Sequence, residues 1–264
     1  MNTHHIPRTR TELEALAQAF GSVAPTLLGH LRWCHHTPTA LIVVVWCAAG
    51  HALATVVVSG AVAQVLRWLL LPTSAMGPLR ALLLEAVEAE CASRGVSTVV
   101  VQCAPAQVGW WQAQGFVEQV ALETWVADAE ERYAEAEREE VQPLDAAHTL
   151  ALLHLYQTAT GAAFTALLRE HTYAGRAYDE GGRIAGILLP LLGHGLIVAR
   201  HATAGLELQR WLLPVQAHLV VPEGNVAAAA QLQGWGYTVA STSVRLVRGA
   251  LPPFRAELVY AWPW

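Results

Sequence analysis

The stretch VAQVLRWLLLPTSAMGPLR, residues 62–80, changes character twice. Val62 to Leu71 is an apolar, valine- and leucine-rich run of strand length. Pro72 to Gly77 brackets small residues between a proline and a glycine, which marks a loop. Pro78 suits the first turn of a helix, where its missing N–H does no harm, and helix formers follow it to about Arg94. A strand, a loop and a helix in mid-domain predict an α/β sandwich with a mixed sheet rather than a bundle or a barrel. Such a loop presents the unpaired N–H groups of the helix's first turn and the positive end of its dipole, a cradle for a pyrophosphate.

Reading outward, helical periodicity covers Thr9 to Phe20 and Val23 to Trp33, and strand-like runs occupy 40–47 and 53–59. After the central helix come a strand at Val96 to Cys103, a short helix at Ala106 to Gln114, and a strand at Gly115 to Ala127. Residues 131–143, rich in glutamate and alanine, form an acidic linker or a solvated helix. The same order then returns: helices at Ala146 to Tyr156 and Ala162 to His171, and strands near 175–179, 183–190 and 194–200. Val99-Val100-Val101 and Gly115-Phe116 in the first half match Leu219-Val220-Val221 and Gly236-Tyr237 in the second. The offset of about 120 positions, near half the chain, predicts a duplicated fold. The expected domains are 1–130 and 144–264.

Composition narrows the function. Of 264 residues 54% are hydrophobic and 14% charged, which excludes a disordered chain. All 16 basic residues are arginine, against 21 acids, and the net charge of -5 lacks the basic clustering that nucleic-acid binding needs. The four cysteines, Cys34, Cys47, Cys91 and Cys103, form no C-x-x-C pair and read as reduced core residues. The twelve histidines show no metal-ligand spacing: His4-His5 and His35-His36 are adjacent pairs whose side chains diverge, and His148 with His154 is not an i, i+4 pair. Between Arg32 and Arg67 there is no arginine or acid, a span long enough for a bilayer, but Gly50 and Gly60 cut it into strand-length pieces. No secretory leader opens the sequence, so a cytoplasmic protein without a membrane partner is expected.

Ser74-Ala75-Met76-Gly77-Pro78-Leu79 resembles the coenzyme A motif Q/R-x-x-G-x-G/A of the acyl-CoA N-acyltransferase (GNAT) superfamily, with Ser74 and Leu79 departing from it. Arg94-Gly95-Val96 resembles the turn after the family's helix. Trp110-Trp111-Gln112-Ala113-Gln114-Gly115-Phe116 is similar to its F-Y-x-x-x-G-F segment. Val221-Pro222-Glu223-Gly224-Asn225-Val226-Ala227-Ala228, with Gly236-Tyr237, resembles the family's V-P-x-x-N-x-x-A and G-F pairing. Gly77-Pro78-Leu79-Arg80 is also similar to the G-x-L-R variant of tandem aminoglycoside acetyltransferases in this superfamily.

The resemblance implies two tandem GNAT-like domains and an acetyl-CoA-dependent N-acetyltransferase acting on a small amine. Its alternative is a non-catalytic tandem fold that binds an acyl-CoA or a protein partner. By the same resemblance, the strand at Trp68, Leu70 and Leu71 aligns pantetheine, and Ser74, Ala75, Met76, Gly77, Pro78, Leu79 and Arg80 hold the pyrophosphate. Trp110 and Trp111 flank the cofactor, Trp111 standing where the family often has an acid tyrosine. Glu123 and the terminal carboxylate of Trp264 are the candidate bases. The second copy's Arg200 to Gly205 lacks the glycine arrangement and is expected not to bind coenzyme A. No metal is expected, and the apolar composition is compatible with a homodimer.

Overall fold

The computed structural model describes residues 3–7, 9–21, 24, 26–47, 50–71, 76–127, 140–250 and 253–264. The chain divides into two compact units, Met1–Val101 and Gln102–Trp264.

In the first unit, strands β1 (Thr3–His5), β2 (Ala40–Cys47), β3 (Gly50–Ser59) and β4 (Val62–Leu70) pair in antiparallel succession. β5 (Thr98–Cys103), whose last two residues open the second unit, pairs with β4 in parallel. A parallel pair needs a crossover, which helix α3 (Met76–Ser93) supplies. Ahead of β2 lie helices α1 (Arg10–Ala19) and α2 (Leu27–His36).

α1 starts at a capping box: the Glu12 N–H donates to the Thr9 hydroxyl, and the Thr9 N–H donates to the Glu12 carboxylate at 2.8 Å. α2 is entered at Thr26, and the expected start at Val23 lies outside the described residues. Leu13, Leu16, Phe20, Leu27, Leu31 and Cys34 of this helical layer pack on Ile42, Val44 and Leu53. The alternate strand positions Val43, Val45, Ala52 and Ala54 are also buried, and α3 lies against β2 and β3. With both faces covered, these strands read as continuous apolar runs. That accounts for the charge-free span: among the described residues it lies largely in β2, β3 and β4, and no helix is long and apolar enough to cross a membrane.

In the second unit, β6 (Val117–Val126) lies between β12 (Thr238–Arg248) and β11 (His218–Pro222), antiparallel to both. A second sheet runs in the order β13 (Val259–Ala261), β10 (Leu196–Ala199), β9 (Ile184–Leu189), β8 (Arg176–Asp179), β7 (Val141–Pro143), antiparallel throughout. The helices are α4 (Val108–Ala113), α5 (Thr149–Thr160), α6 (Thr165–Glu170), α7 (Ala202–Leu212) and α8 (Val226–Gly234). Trp125, Leu208, Leu212, Leu219, Val221, Leu232 and Tyr260 form one core cluster. Of the acidic segment 131–143, Val141–Pro143 forms β7, and 131–139 lie outside the described residues. Three-residue strands such as β1 and β7 carry too few alternations to be legible in sequence.

Candidate functional site

Two local features of the first unit build a ligand site from main chain alone. Among the described residues, the parallel ladder joins Val62 to Thr98, Ala63 to Val99 and Gln64 to Val100, and ends there. β4 continues to Leu70 along β3 only. Just past the end of that ladder the β3–β4 register shifts: Val56 faces Val65 and Thr55 faces Arg67, so Leu66 is an inserted residue. A bulge increases local twist and re-aims the strand, here away from its parallel neighbour. Main-chain groups on that edge of β4 are thereby released from the β5 ladder and can pair with an extended ligand.

The side chains beyond the bulge divide by face. Leu69 and Leu71 pack on the α1–α2 cluster. Trp68 and Leu70, at the alternating positions, face the other way and are half-buried. Leu71 is further tied by its N–H to the His51 carbonyl at 2.9 Å. Of the residues expected near pantetheine, then, Trp68 and Leu70 share a face and Leu71 turns into the core.

α3 starts at Met76, so Gly77 and Pro78 fall inside its first turn rather than ahead of it. Ser74 and Ala75 lie outside the described residues. Leu79 is fully buried and anchors the turn, while Gly77 and Pro78 are exposed and Arg80 is half-buried. A Cβ placed on Gly77 would meet nothing within 4 Å, so nothing in the fold requires glycine there. The first turn of this 18-residue helix carries the positive end of its dipole, which suits an anion.

The second unit holds the remaining candidates. Trp111 is 3% exposed; its ring meets Trp110 edge-on at 4.8 Å and Phe116 at 4.9 Å. It is a packing residue of an aromatic cluster, and its indole supplies no acid. Trp110 beside it is half-buried.

Glu123 and Trp264 are not brought together. On β6, Glu123 sits opposite Val221 of β11 and Thr242 of β12, on the face that carries Trp125 and the core cluster. Leu122 sits opposite Ser243, on the other face. Ser243 belongs to a clamp that sequence reasoning missed. The Gln102 amide donates to the Ser243 hydroxyl at 2.8 Å and to a terminal carboxylate oxygen of Trp264 at 2.9 Å, and its oxygen accepts from the Trp262 indole at 3.3 Å. Nothing about a lone glutamine at the end of a strand marks it in sequence. One residue on, burial pushes the Cys103 thiol up to about 11, with Glu118 adding to the effect, so it stays protonated and inert as a nucleophile.

At the N-terminus of α7, the counterpart of the α3 turn, His201 caps the helix by accepting from the Ala204 N–H at 3.4 Å, and its other nitrogen meets Glu180 at 3.0 Å. Gly205 lies under the Tyr260 ring, which occupies the space a Cβ would need. This turn is filled by the protein's own side chains, unlike that at Gly77. Among the described residues, no group of three histidine, cysteine or acidic side chains is placed to hold a metal.

No family profile matches the chain, and no curated protein matches it in sequence. Solved structures do match. A presumptive acetyltransferase from Pyrococcus horikoshii superposes with a TM-score of 0.79 at 11% identity, over 98% of this chain and 93% of that one. A tandem GNAT protein from the clavulanic acid biosynthesis pathway gives 0.60 at 14% identity, over 96% and 100%. A GCN5-related N-acetyltransferase from Sphaerobacter thermophilus gives 0.61 at 15% identity, over 97% and 98%. The chain has the GNAT fold, in the mixed α/β, two-domain form expected from its sequence.

Proposed function

We propose that this protein is an acetyl-CoA-dependent N-acetyltransferase that acts on a small amine in the cytoplasm. The observation that carries the reading is the departure of β4 from its parallel ladder at Gln64, followed by the bulge at Leu66 and the unobstructed first turn of α3 at Gly77. In this reading the released main chain along Trp68 to Leu70 pairs with the pantetheine arm. The N–H groups of Met76, Gly77, Leu79 and Arg80 would hold the pyrophosphate, Pro78 having none to offer, with Leu79 fixing the turn from the core side. Acetyl-CoA, when bound, supplies an activated acyl carbonyl and a thiolate leaving group. Main-chain donors on this edge of β4 would polarise the carbonyl, and holding the amine beside it would supply most of what such a transfer needs. A thiolate leaves without an obligatory acid, so a buried Trp111 in place of tyrosine is compatible with turnover.

A second reading has one observation in its favour: the position expected to hold the acid is a core tryptophan. In that reading the first unit binds an acyl-CoA and transfers nothing. The α7 turn, filled by His201 and Tyr260, takes no coenzyme A in either reading.

The test is a titration of the protein with acetyl-CoA and with coenzyme A, followed by an amine screen. Saturable binding with acetyl transfer supports the first reading, and binding without transfer to any amine supports the second. No binding, with an unshifted melting temperature, rejects both.

A further inference from the structure

Arg245 lies on β12 with 2% of its surface exposed. Three aromatic side chains surround it: the Phe254 ring at 5.0 Å, the Trp262 ring at 5.6 Å, and Tyr156 within electrostatic reach. Burial lowers the guanidinium to about 10, and it raises the Tyr156 phenol to about 12. At neutral pH the site is therefore a buried cation beside a neutral phenol. Among the described residues its Nε and Nη1 have no hydrogen-bond partner and no carboxylate pairs with it.

This is an unusual way to fill a core position. Stacking on two rings offsets part of the cost of burying the charge, but it satisfies neither orphan donor. A methionine or leucine would occupy similar space without that cost. A guanidinium held between aromatic rings with donors unspent is an arrangement suited to recognise an anion.

We infer that Arg245 anchors a carboxylate-binding site in the second unit, taking a small organic acid whose body rests against Phe254, Trp262 and Tyr156. A carboxylate fits better than a phosphate because the box offers one cation and otherwise aromatic walls, with no second charge for a dianion. Of the three rings, Phe254 alone is partly exposed, which places the way in on its side. The site itself does not depend on acyl transfer. One further step does rest on the proposed activity: the acceptor is then an amine that carries a carboxylate.

The experiment uses the full chain and 3-phenylpropionate, with 3-phenylpropionamide as its neutral counterpart. The Arg245 Nε–H resonance is followed by ¹⁵N NMR, assigned by its loss in Arg245→Lys. The expected result is a saturable shift with the carboxylate and none with the amide, and an affinity at least tenfold weaker in Arg245→Met. An unmoved resonance in the wild-type protein overturns the site even if Arg245→Met fails to fold, and so does wild-type affinity in a folded Arg245→Met. For the acceptor, amines with and without a carboxylate are compared as substrates. Equal rates overturn that step, whereas absence of transfer to any amine counts against the proposed activity and leaves the carboxylate site to stand or fall by the NMR titration.

Discussion

Gln102 and Trp264 are joined by a hydrogen bond of 2.9 Å from the Gln102 side-chain amide to a terminal carboxylate oxygen of Trp264, across most of the second unit's sequence. The same amide group also engages Ser243 and Trp262. Replacing Gln102 by leucine removes all three contacts and leaves the largely buried Trp262 indole N–H without its acceptor. We expect a loss of about 1–3 kcal/mol, read as a lower urea midpoint with an unchanged slope.

Gly77 and Gly205 occupy matching turns and should respond oppositely. Nothing stands near Gly77, so Gly77→Ala is expected to leave the melting temperature unchanged or slightly raised, by the roughly 0.5–1 kcal/mol that alanine gains in a helix. Gly77→Glu should fold as well but weaken acetyl-CoA binding at least tenfold, because it adds a negative charge at a phosphate-binding turn. Gly205→Ala meets the Tyr260 ring and should cost about 1–3 kcal/mol. Calorimetric melting and a binding titration on the three variants check this.

Glu123 faces the core side of the β6 sheet, away from Ser243 and the Gln102 clamp. On the transferase reading, Glu123→Gln should therefore leave kcat/KM within about threefold of wild type, against the 10²-fold or greater loss typical of removing a general base. A hundredfold fall would restore Glu123 as the proton acceptor.

His30 titrates well below its usual range, at about 4, chiefly because it is buried and secondarily because of Arg67. Its Nε2 lies 2.8 Å from the Thr55 hydroxyl. The sign follows from linkage: between pH 6.5 and 4 the unfolded chain takes up a proton that the folded chain refuses. Stability from this group is present above about pH 6.5 and is lost as pH falls to about 4, on the order of 2–3 kcal/mol in all. Urea unfolding at pH 7 and pH 5 should show the decline, and His30→Gln should flatten it.

Cys34, 3.6 Å from His30, has its thiol pushed up to about 12, again mainly by burial. It should resist a thiol reagent in the folded protein and react once unfolded, as measured by labelling followed by mass analysis.

Much of the fold was legible because its signals are local. The run at Val62 to Leu71, Pro78 in the first turn of its helix, and the helical periodicity from Thr9 to Phe20 each act over a few residues, and each formed the element its chemistry favours. The duplicated Gly-Phe and Gly-Tyr turns likewise preceded long strands, β6 and β12. Of the candidate site, sequence pointed to the start of the helix at Gly77, because a helix terminus is itself a local object.

What sequence by itself determined is therefore the kind of elements, their order, and the helix that opens near Gly77 after a strand. Tertiary structure alone decided the rest, because each remaining feature depends on register between distant segments. The bulge at Leu66 exists only against β3, the open edge of β4 only because its pairing with β5 stops at Gln64, and the face of Glu123 only through its pairing with Val221 and Thr242. A shift of one residue would exchange the faces, and no local propensity sets that choice. Gln102 and Arg245 belong to the same class: an ordinary polar residue became a clamp, and an ordinary strand arginine a buried cation, through what long-range packing placed around them.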